Sequence, residues 1–216
     1  EACSVALSLD GECIARTEIA PREHAQKILP MVEELLQEAH CQLRDMDAIA
    51  VGCGPGSFVG VRIAVSVAQG LAYAVDVPVV PVSTLAALAQ ATQAANVLVV
   101  QDARMSEVYA GAYQRDASGI MQLLGEEQVV PPEQIWLPEG LSADCLGIGS
   151  GWLAYPEALA ELSSRLRVEE AAIHPQAVDI ATLGVYGVEH GLARSASDVL
   201  PVYLRDQVAR KPAKLN

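Results

Sequence analysis

The sequence predicts an α/β fold in which one topology occurs twice, each copy with a mixed sheet that is part hairpin and part parallel. Three observations carry this. Two apolar runs flank a short polar turn near the N-terminus and again near the middle. A strand followed by a glycine hinge and a helix also occurs twice. Helix-forming stretches alternate with short apolar strands along the whole chain.

The first copy opens on runs 3–9 and 13–19 about Asp10-Gly11, a two-residue hairpin turn that sets Cys13 opposite Ser8. A helix is expected over about 22–40, with Ile28, Val32, Leu35, Leu36 and Ala39 on one face, and Pro30 either starts its regular part or kinks it. An apolar strand to Val51 follows, then the hinge Gly52-Cys53-Gly54-Pro55-Gly56-Ser57-Phe58-Val59-Gly60, a helix over 61–75 and a strand over 79–82. Ser83 caps an alanine- and leucine-rich helix that ends near Thr92.

The second copy begins at Asn96 with a strand over 97–101 running into Asp102. Runs 107–114 and 120–130 flank the turn Asp116-Ala117-Ser118-Gly119, and a short Pro-flanked helix follows. A strand then enters a second hinge, Cys145-Leu146-Gly147-Ile148-Gly149-Ser150-Gly151, ahead of a helix over about 156–167. Two lobes are expected: 1–95 with the interaction helices, and a smaller 96–216 whose last residues pack back on the first. The second copy opens on a full strand and the first on its hairpin. A strand of about ten residues, ending in an acid or small polar residue, is therefore expected upstream, and without it one position beside residues 3–9 stays unpaired.

Composition narrows the function. The chain has 216 residues and is 51% hydrophobic, ample for a core. Its net charge of −13, from 27 acids against 14 bases, opposes direct binding of a polyanion. Only Arg205, Arg210, Lys211 and Lys214 form a locally basic segment, expected to be solvated. No uninterrupted apolar stretch of about 18 residues and no leader is seen, so no membrane span and a cytoplasmic location are expected. Five cysteines (Cys3, Cys13, Cys41, Cys53, Cys145) without a C-x-x-C pair are expected to be reduced and mostly buried. His24, His40, His174 and His190 lack metal-ligand spacing and read as surface or capping residues.

The hinge at 52–60 has the chemistry of an anion contact, since glycines allow close backbone approach and Ser57 caps a helix N-terminus. Gly54, Gly56 and Ser57 are the candidate anion or nucleotide contacts. The common nucleotide loops do not fit. Gly60 is followed by Val61-Arg62 where a P-loop needs Lys and Ser/Thr, and Ser57 stands where a dinucleotide fingerprint needs glycine.

The helix after the hinge asks for a partner. Gly60, Ala64, Ala68 and Ala72 recur every four residues as a smooth ridge, and the rest is apolar almost all round. Arg62, Ser66, Gln69 and Tyr73 form a polar stripe that reads as an interface rim. With the preceding helix, the expected partner surface is His24, Ile28, Met31, Val32, Leu35, Gly60, Arg62, Ala64, Ser66, Ala68, Gln69, Ala72 and Tyr73.

These residues resemble one family, the TsaB (YeaZ) proteins of bacterial tRNA threonylcarbamoyladenosine synthesis. The resemblance runs through Arg22-Glu23-His24 to Leu29-Pro30, the hinge from Gly54 to Arg62, Val82-Ser83-Thr84-Leu85, Asp102-Ala103-Arg104-Met105-x-Glu107-Val108-Tyr109 and Pro201-Val202-Tyr203-Leu204-Arg205. Val59 stands where the hinge usually has Thr and Cys53 where Arg is common, which weakens the case for phosphate. The resemblance implies an actin-like (sugar kinase/Hsp70/actin) fold of two ribonuclease-H-like lobes. It also implies a non-catalytic relative of TsaD, which transfers a threonylcarbamoyl group to the adenosine beside the anticodon of tRNAs reading codons that begin with A. TsaD binds a metal through His-x-x-x-His, and the matching positions here are Thr84 and Leu88, so no catalytic residue and no metal are expected.

The implied partners are TsaD in a heterodimer, the ATPase TsaE in the larger complex, and a second copy when TsaD is absent. The implied contact with tRNA is indirect. No cofactor is expected on this chain alone, with ATP or ADP a candidate in the assembled complex. The alternative is an actin-fold phosphohydrolase or kinase, for which Asp102 is the one acid at a strand end facing the hinges.

Overall fold

The computed structural model describes residues 2–138, 141, 144–169 and 173–205. Strands β1 (Ala2–Leu9) and β2 (Glu12–Ile19) form the first hairpin, with Ser8 opposite Cys13 as its turn requires. Asp10 and Gly11 both have positive φ, 49° and 88°, the pair that a right-twisted two-residue turn needs. Helix α1 (His24–Glu38) begins before Pro30 and includes it. Pro30 lies on the exposed face, where water can reach the carbonyl whose helical bond the ring removes. Strand β3 (Ile49–Gly54), helix α2 (Phe58–Val75), strand β4 (Val79–Ser83) and helix α3 (Thr84–Gln90) complete the first lobe. Ser83 caps α3, its Oγ accepting from the Leu85 and Ala86 amides.

The second lobe is one five-stranded sheet in the order β7-β6-β5-β8-β9. Strands β5 (Asn96–Arg104), β6 (Glu107–Arg115) and β7 (Met121–Val130) are antiparallel, while β8 (Leu146–Ile148) and β9 (Arg167–Glu169) join in parallel. Asp116 pins the β6–β7 turn. Bonds from Ser118, Ile120 and Gln122 hold its carboxyl down at about 2.

Of the expected helix over 156–167 only α5 (Ala160–Ser163) forms, preceded by another short helix, α4 (Gly151–Ala154), and β9 takes the end of the segment. Tyr155 precedes Pro156, and a residue before proline is pushed out of the helical region, so α4 stops there. The membrane expectation also changes: α2 is long and apolar enough, by length and composition alone, to cross a membrane. It lies against β3.

The first lobe repeats this order with a difference. The β1–β2 hairpin corresponds to β6–β7, and the parallel pair β3–β4 to β8–β9. Among the described residues nothing occupies the position of β5. The edges of β1 and β3 flank a slot that continues into the cleft between the lobes, a cavity of about 1650 Å³. The unpaired edge beside residues 3–9 is thus present.

Helix α6 (Ala177–Glu189) follows the second lobe in sequence but packs on β1, β3 and β4 of the first. The boundary at residue 95 therefore separates the sheets and not the last helix. His190 caps α6, its Nδ1 2.9 Å from the Tyr186 carbonyl and its ring stacked on Tyr186.

Helix α3 belongs to both lobes. Leu85, Leu88 and Ala89 enter the second lobe's core with Val97, Val99, Tyr113, Leu146 and Ile148, while Ala87 enters the first with Val80, Val82 and Ile180. Glu127 of β7 bonds the Ser83 hydroxyl on one side and accepts from Tyr113 Oη at 2.5 Å on the other. Burial, reinforced by this carboxylate, raises the Tyr113 phenol well above its ordinary range.

Candidate partner-binding surface

Helix α2 begins where Ser57 Oγ accepts from the Gly60 amide at 3.4 Å. Of its 18 residues only Val61, Val65, Ala68 and Ala72 are buried. They face Val51 and Cys53 of β3, Val79 of β4 and Val199. Exposed on the other side are Phe58, Val59, Ser66, Gly70, Tyr73 and Ala74, with Tyr73 at 87% exposure. Neighbouring α1 exposes Leu29 in the same way.

This corrects four expected contact residues. Ala68 is 5% exposed and Ala72 1%, both against the chain's own core, so neither offers a surface to a partner helix. A four-residue step turns a helix by about 400°, so a ridge of this period drifts by about 40° per step. The ridge starts half-exposed at Gly60 and Ala64 and ends inside. Met31 and Leu35 of α1 are likewise buried. His24, Ile28 and Val32 are half-buried; Ile28 and Val32 line the slot with Ile63, Val67 and Leu71 of α2.

The polar stripe divides. Ser66 and Tyr73 are exposed, but Gln69 donates from Nε2 to the carbonyls of Ala196 and Val199 at 2.9 and 3.0 Å. The Arg62 guanidinium lies 3.4 Å from the Phe58 ring centroid, and its Nε donates to Tyr203 Oη at 2.6 Å. Two of the four polar residues therefore hold the chain's own extended segment after the turn at Ala196–Asp198.

The hinge is used in the same way. Gly54 has φ 110°, and a Cβ there would stand 2.7 Å from the Val202 carbonyl oxygen. The Val202 amide donates to the Cys53 carbonyl at 2.7 Å, so the close approach that Gly54 permits is to this segment. Gly149 of the second hinge has φ 111°, with the Val100 carbonyl oxygen 2.3 Å from the place of its Cβ. The same backbone device serves both lobes. Gly56 and Ser57 are exposed beside it.

In the cleft, Asp102 is fully engaged. Its Oδ1 accepts from the Arg104 amide at 2.7 Å and from Tyr155 Oη at 2.9 Å, and its Oδ2 pairs with Arg104 Nη1 at 3.0 Å. Thr84 Oγ1 donates to the Pro55 carbonyl, and Leu88 is 2% exposed in the second lobe's core. Among the described residues no group of three or more His, Cys, Asp or Glu side chains is placed to hold a metal ion. Arg205 is not a solvated tail charge: its side chain is largely buried and paired with Glu107. Arg210, Lys211 and Lys214 lie outside the described residues.

Two ribonuclease-H-like lobes meeting across a cleft define an actin-like α/β protein. The family description "TsaD: tRNA N6-adenosine threonylcarbamoyltransferase" matches residues 16–213. The tRNA threonylcarbamoyladenosine biosynthesis protein TsaB of Escherichia coli (strain K12) is 42% identical over 98% of this chain and 93% of its own length. The TsaB protein of Haemophilus influenzae is 38% identical over 98% and 92%. A solved structure described as YeaZ from Pseudomonas aeruginosa superposes with a TM-score of 0.84 at 44% identity, covering 94% of this chain and 95% of that one. A second, from the same organism and described as an uncharacterized protein with similarity to peptidase YEAZ, gives 0.85 at 44% identity and 95% of each chain. The chain belongs to the TsaB (YeaZ) family.

Proposed function

We propose that the chain is a non-catalytic accessory subunit of tRNA threonylcarbamoyladenosine synthesis, acting by binding the transferase TsaD through α2 and the adjoining face of α1. One observation carries this: α2 is apolar almost all round, yet only four of its 18 residues are buried in its own lobe. Such a helix left in water favours a covering surface. Leu29, Val59, Ser66, Gly70 and Tyr73 form the centre of the contact, with Tyr73 as the aromatic anchor.

A structural role accords with the rest of the chain. The cleft carboxylate Asp102 is taken up by Arg104 and Tyr155, and the two positions that the resemblance assigns to metal ligands carry Thr84 and Leu88. At net charge −13 the chain reaches tRNA through its partners. TsaE joins the larger assembly, any ATP or ADP is held there, and a second copy covers α2 when TsaD is absent. The setting is the cytoplasm.

Reconstitution tests the proposal. Threonylcarbamoylation of tRNA by TsaD, TsaE and the adenylate-forming enzyme is expected to fall sharply when this protein is left out. Tyr73→Glu is expected to abolish co-purification with TsaD while the melting temperature stays unchanged. Full-rate modification without the protein would rule the accessory role out, and undiminished co-purification of the variant would rule out the surface.

A further inference from the structure

The residues after the 196–198 turn touch two places, one in each lobe. At one end is the start of α2. Val199 is buried in the first lobe's core, Val202 bonds Cys53 at the tip of β3, and Tyr203 accepts from Arg62 and packs on Phe58 with ring centroids 5.6 Å apart. At the other end is the β5–β6 turn of the second lobe. Arg205 Nε donates to Glu107 Oε2 at 2.8 Å, and Nη2 bonds the same carboxylate together with the carbonyls of Ala103 and Arg104, the latter two at 3.2 and 3.3 Å.

That turn is held against its own preference. Arg104, Met105 and Ser106 have φ of 62°, 57° and 60°, three successive side-chain-bearing residues in the left-handed region. Asp102 holds the turn from inside through the Arg104 amide, and Arg205 holds it from outside through two carbonyls. Consecutive anchors at Val202, Tyr203 and Arg205 are one or two residues apart, and an extended chain spans at most about 3.5 Å per residue. The two ends are therefore joined by a short covalent path with a bend at Leu204.

We infer that residues 199–205 form a strap that couples the first turn of α2 to the left-handed turn at 104–106, so that loosening either end loosens the other. Coupling between two sites is reciprocal when both bias one shared element, and here the shared element is a short stretch of backbone anchored at both ends. Because α2 is the proposed partner face, the strap would also make a grip on α2 felt at the Asp102 side of the cleft. That extension rests on the proposed function; the coupling itself does not.

The test uses the isolated chain and hydrogen exchange, with two conservative variants at opposite ends. Arg205→Lys keeps the charge but loses the guanidinium fork, and Tyr203→Phe keeps the ring but loses the acceptor for Arg62. Arg205→Lys is expected to speed exchange about tenfold at 103–107 and also at Gly60 and Val61, the scale of one charge-assisted hydrogen bond. Tyr203→Phe is expected to do the same at 103–107. If Arg205→Lys does not fold, Glu107→Gln opens the same end from the opposite partner. Effects confined to the mutated end, or no change at either end, overturn the coupling. Because no partner protein is present, this outcome is independent of whether TsaD binds.

Discussion

Gly184 of α6 lies so close over Ala50 of β3 that a Cβ added to it would stand 2.4 Å from the Ala50 Cβ. This contact seats the last helix on the first lobe. Gly184→Ala is expected to destabilise the chain by about 1–3 kcal/mol through overpacking. Urea unfolding checks it, and an unchanged midpoint would mean that α6 does not sit on β3 as described.

Buried and exposed positions of α2 should respond in opposite ways. Ala72→Leu forces three extra carbons into the cluster of Val51, Val79 and Val199 and is expected to cost about 1–3 kcal/mol of stability. Ser66→Leu on the exposed face is expected to change stability by less than about 0.5 kcal/mol. Thermal melts of both variants, read side by side, decide whether the small-residue ridge faces the core.

Asp179, in the first turn of α6, has its carboxyl pushed up to about 6 by burial. A raised acid pKa means that the folded chain holds its proton where the unfolded chain has lost it. Stability from this group is therefore complete below pH 3.8 and is lost as pH rises through about 6. The carboxyl is only partly buried, so solvent screening leaves about 1 kcal/mol. Asp179→Asn should flatten stability between those two pH values and raise it at pH 7; an unaltered pH profile would contradict the shift.

Burial pushes the thiols of Cys53 and Cys145 up to about 11. At pH 8 roughly one in a thousand of each is the reactive thiolate, and neither is exposed. Iodoacetamide followed by peptide mass mapping should find exposed Cys13 modified in the native chain, and Cys53 and Cys145 modified only after urea. Rapid native labelling of Cys145 would show that the second lobe's core is open.

Much of the fold was legible because local patterns and tertiary demands agree. Asp10-Gly11 set the first hairpin's register to the residue, Ser83 announced the cap of α3, and the two glycine hinges marked a duplication that the sheets repeat. Helix α6 went unread because its inward face relies on Gly184 and Gly187, whose value lies in close approach to Ala50 and Val80, while Val178, Val185 and Val188 on the outside blur the amphipathic pattern. Pro30 suggested a late start or a kink, and the helix in fact starts earlier, at His24, with Pro30 on its exposed face. Helix α2 was legible as over-apolar, but not in its orientation. A four-residue repeat names neighbours on a helix without saying which side meets the sheet. The self-contacts of Arg62 and Gln69 depend on residues 127 to 141 positions away in sequence, which no local pattern carries.

The placement of α3 between two cores bears on the chain's history. If the ancestor held two imidazoles at the positions of Thr84 and Leu88, as the resemblance to the transferase suggests, the second has since been roofed over by Leu85, Val97 and Ile148. An imidazole restored at Leu88 would meet hydrocarbon where it needs polar neighbours, and its charged form would be strongly disfavoured. Two substitutions on paper would demand the repacking of a whole lobe. Each apolar side chain packed around Leu88 therefore adds to what such a restoration would have to undo.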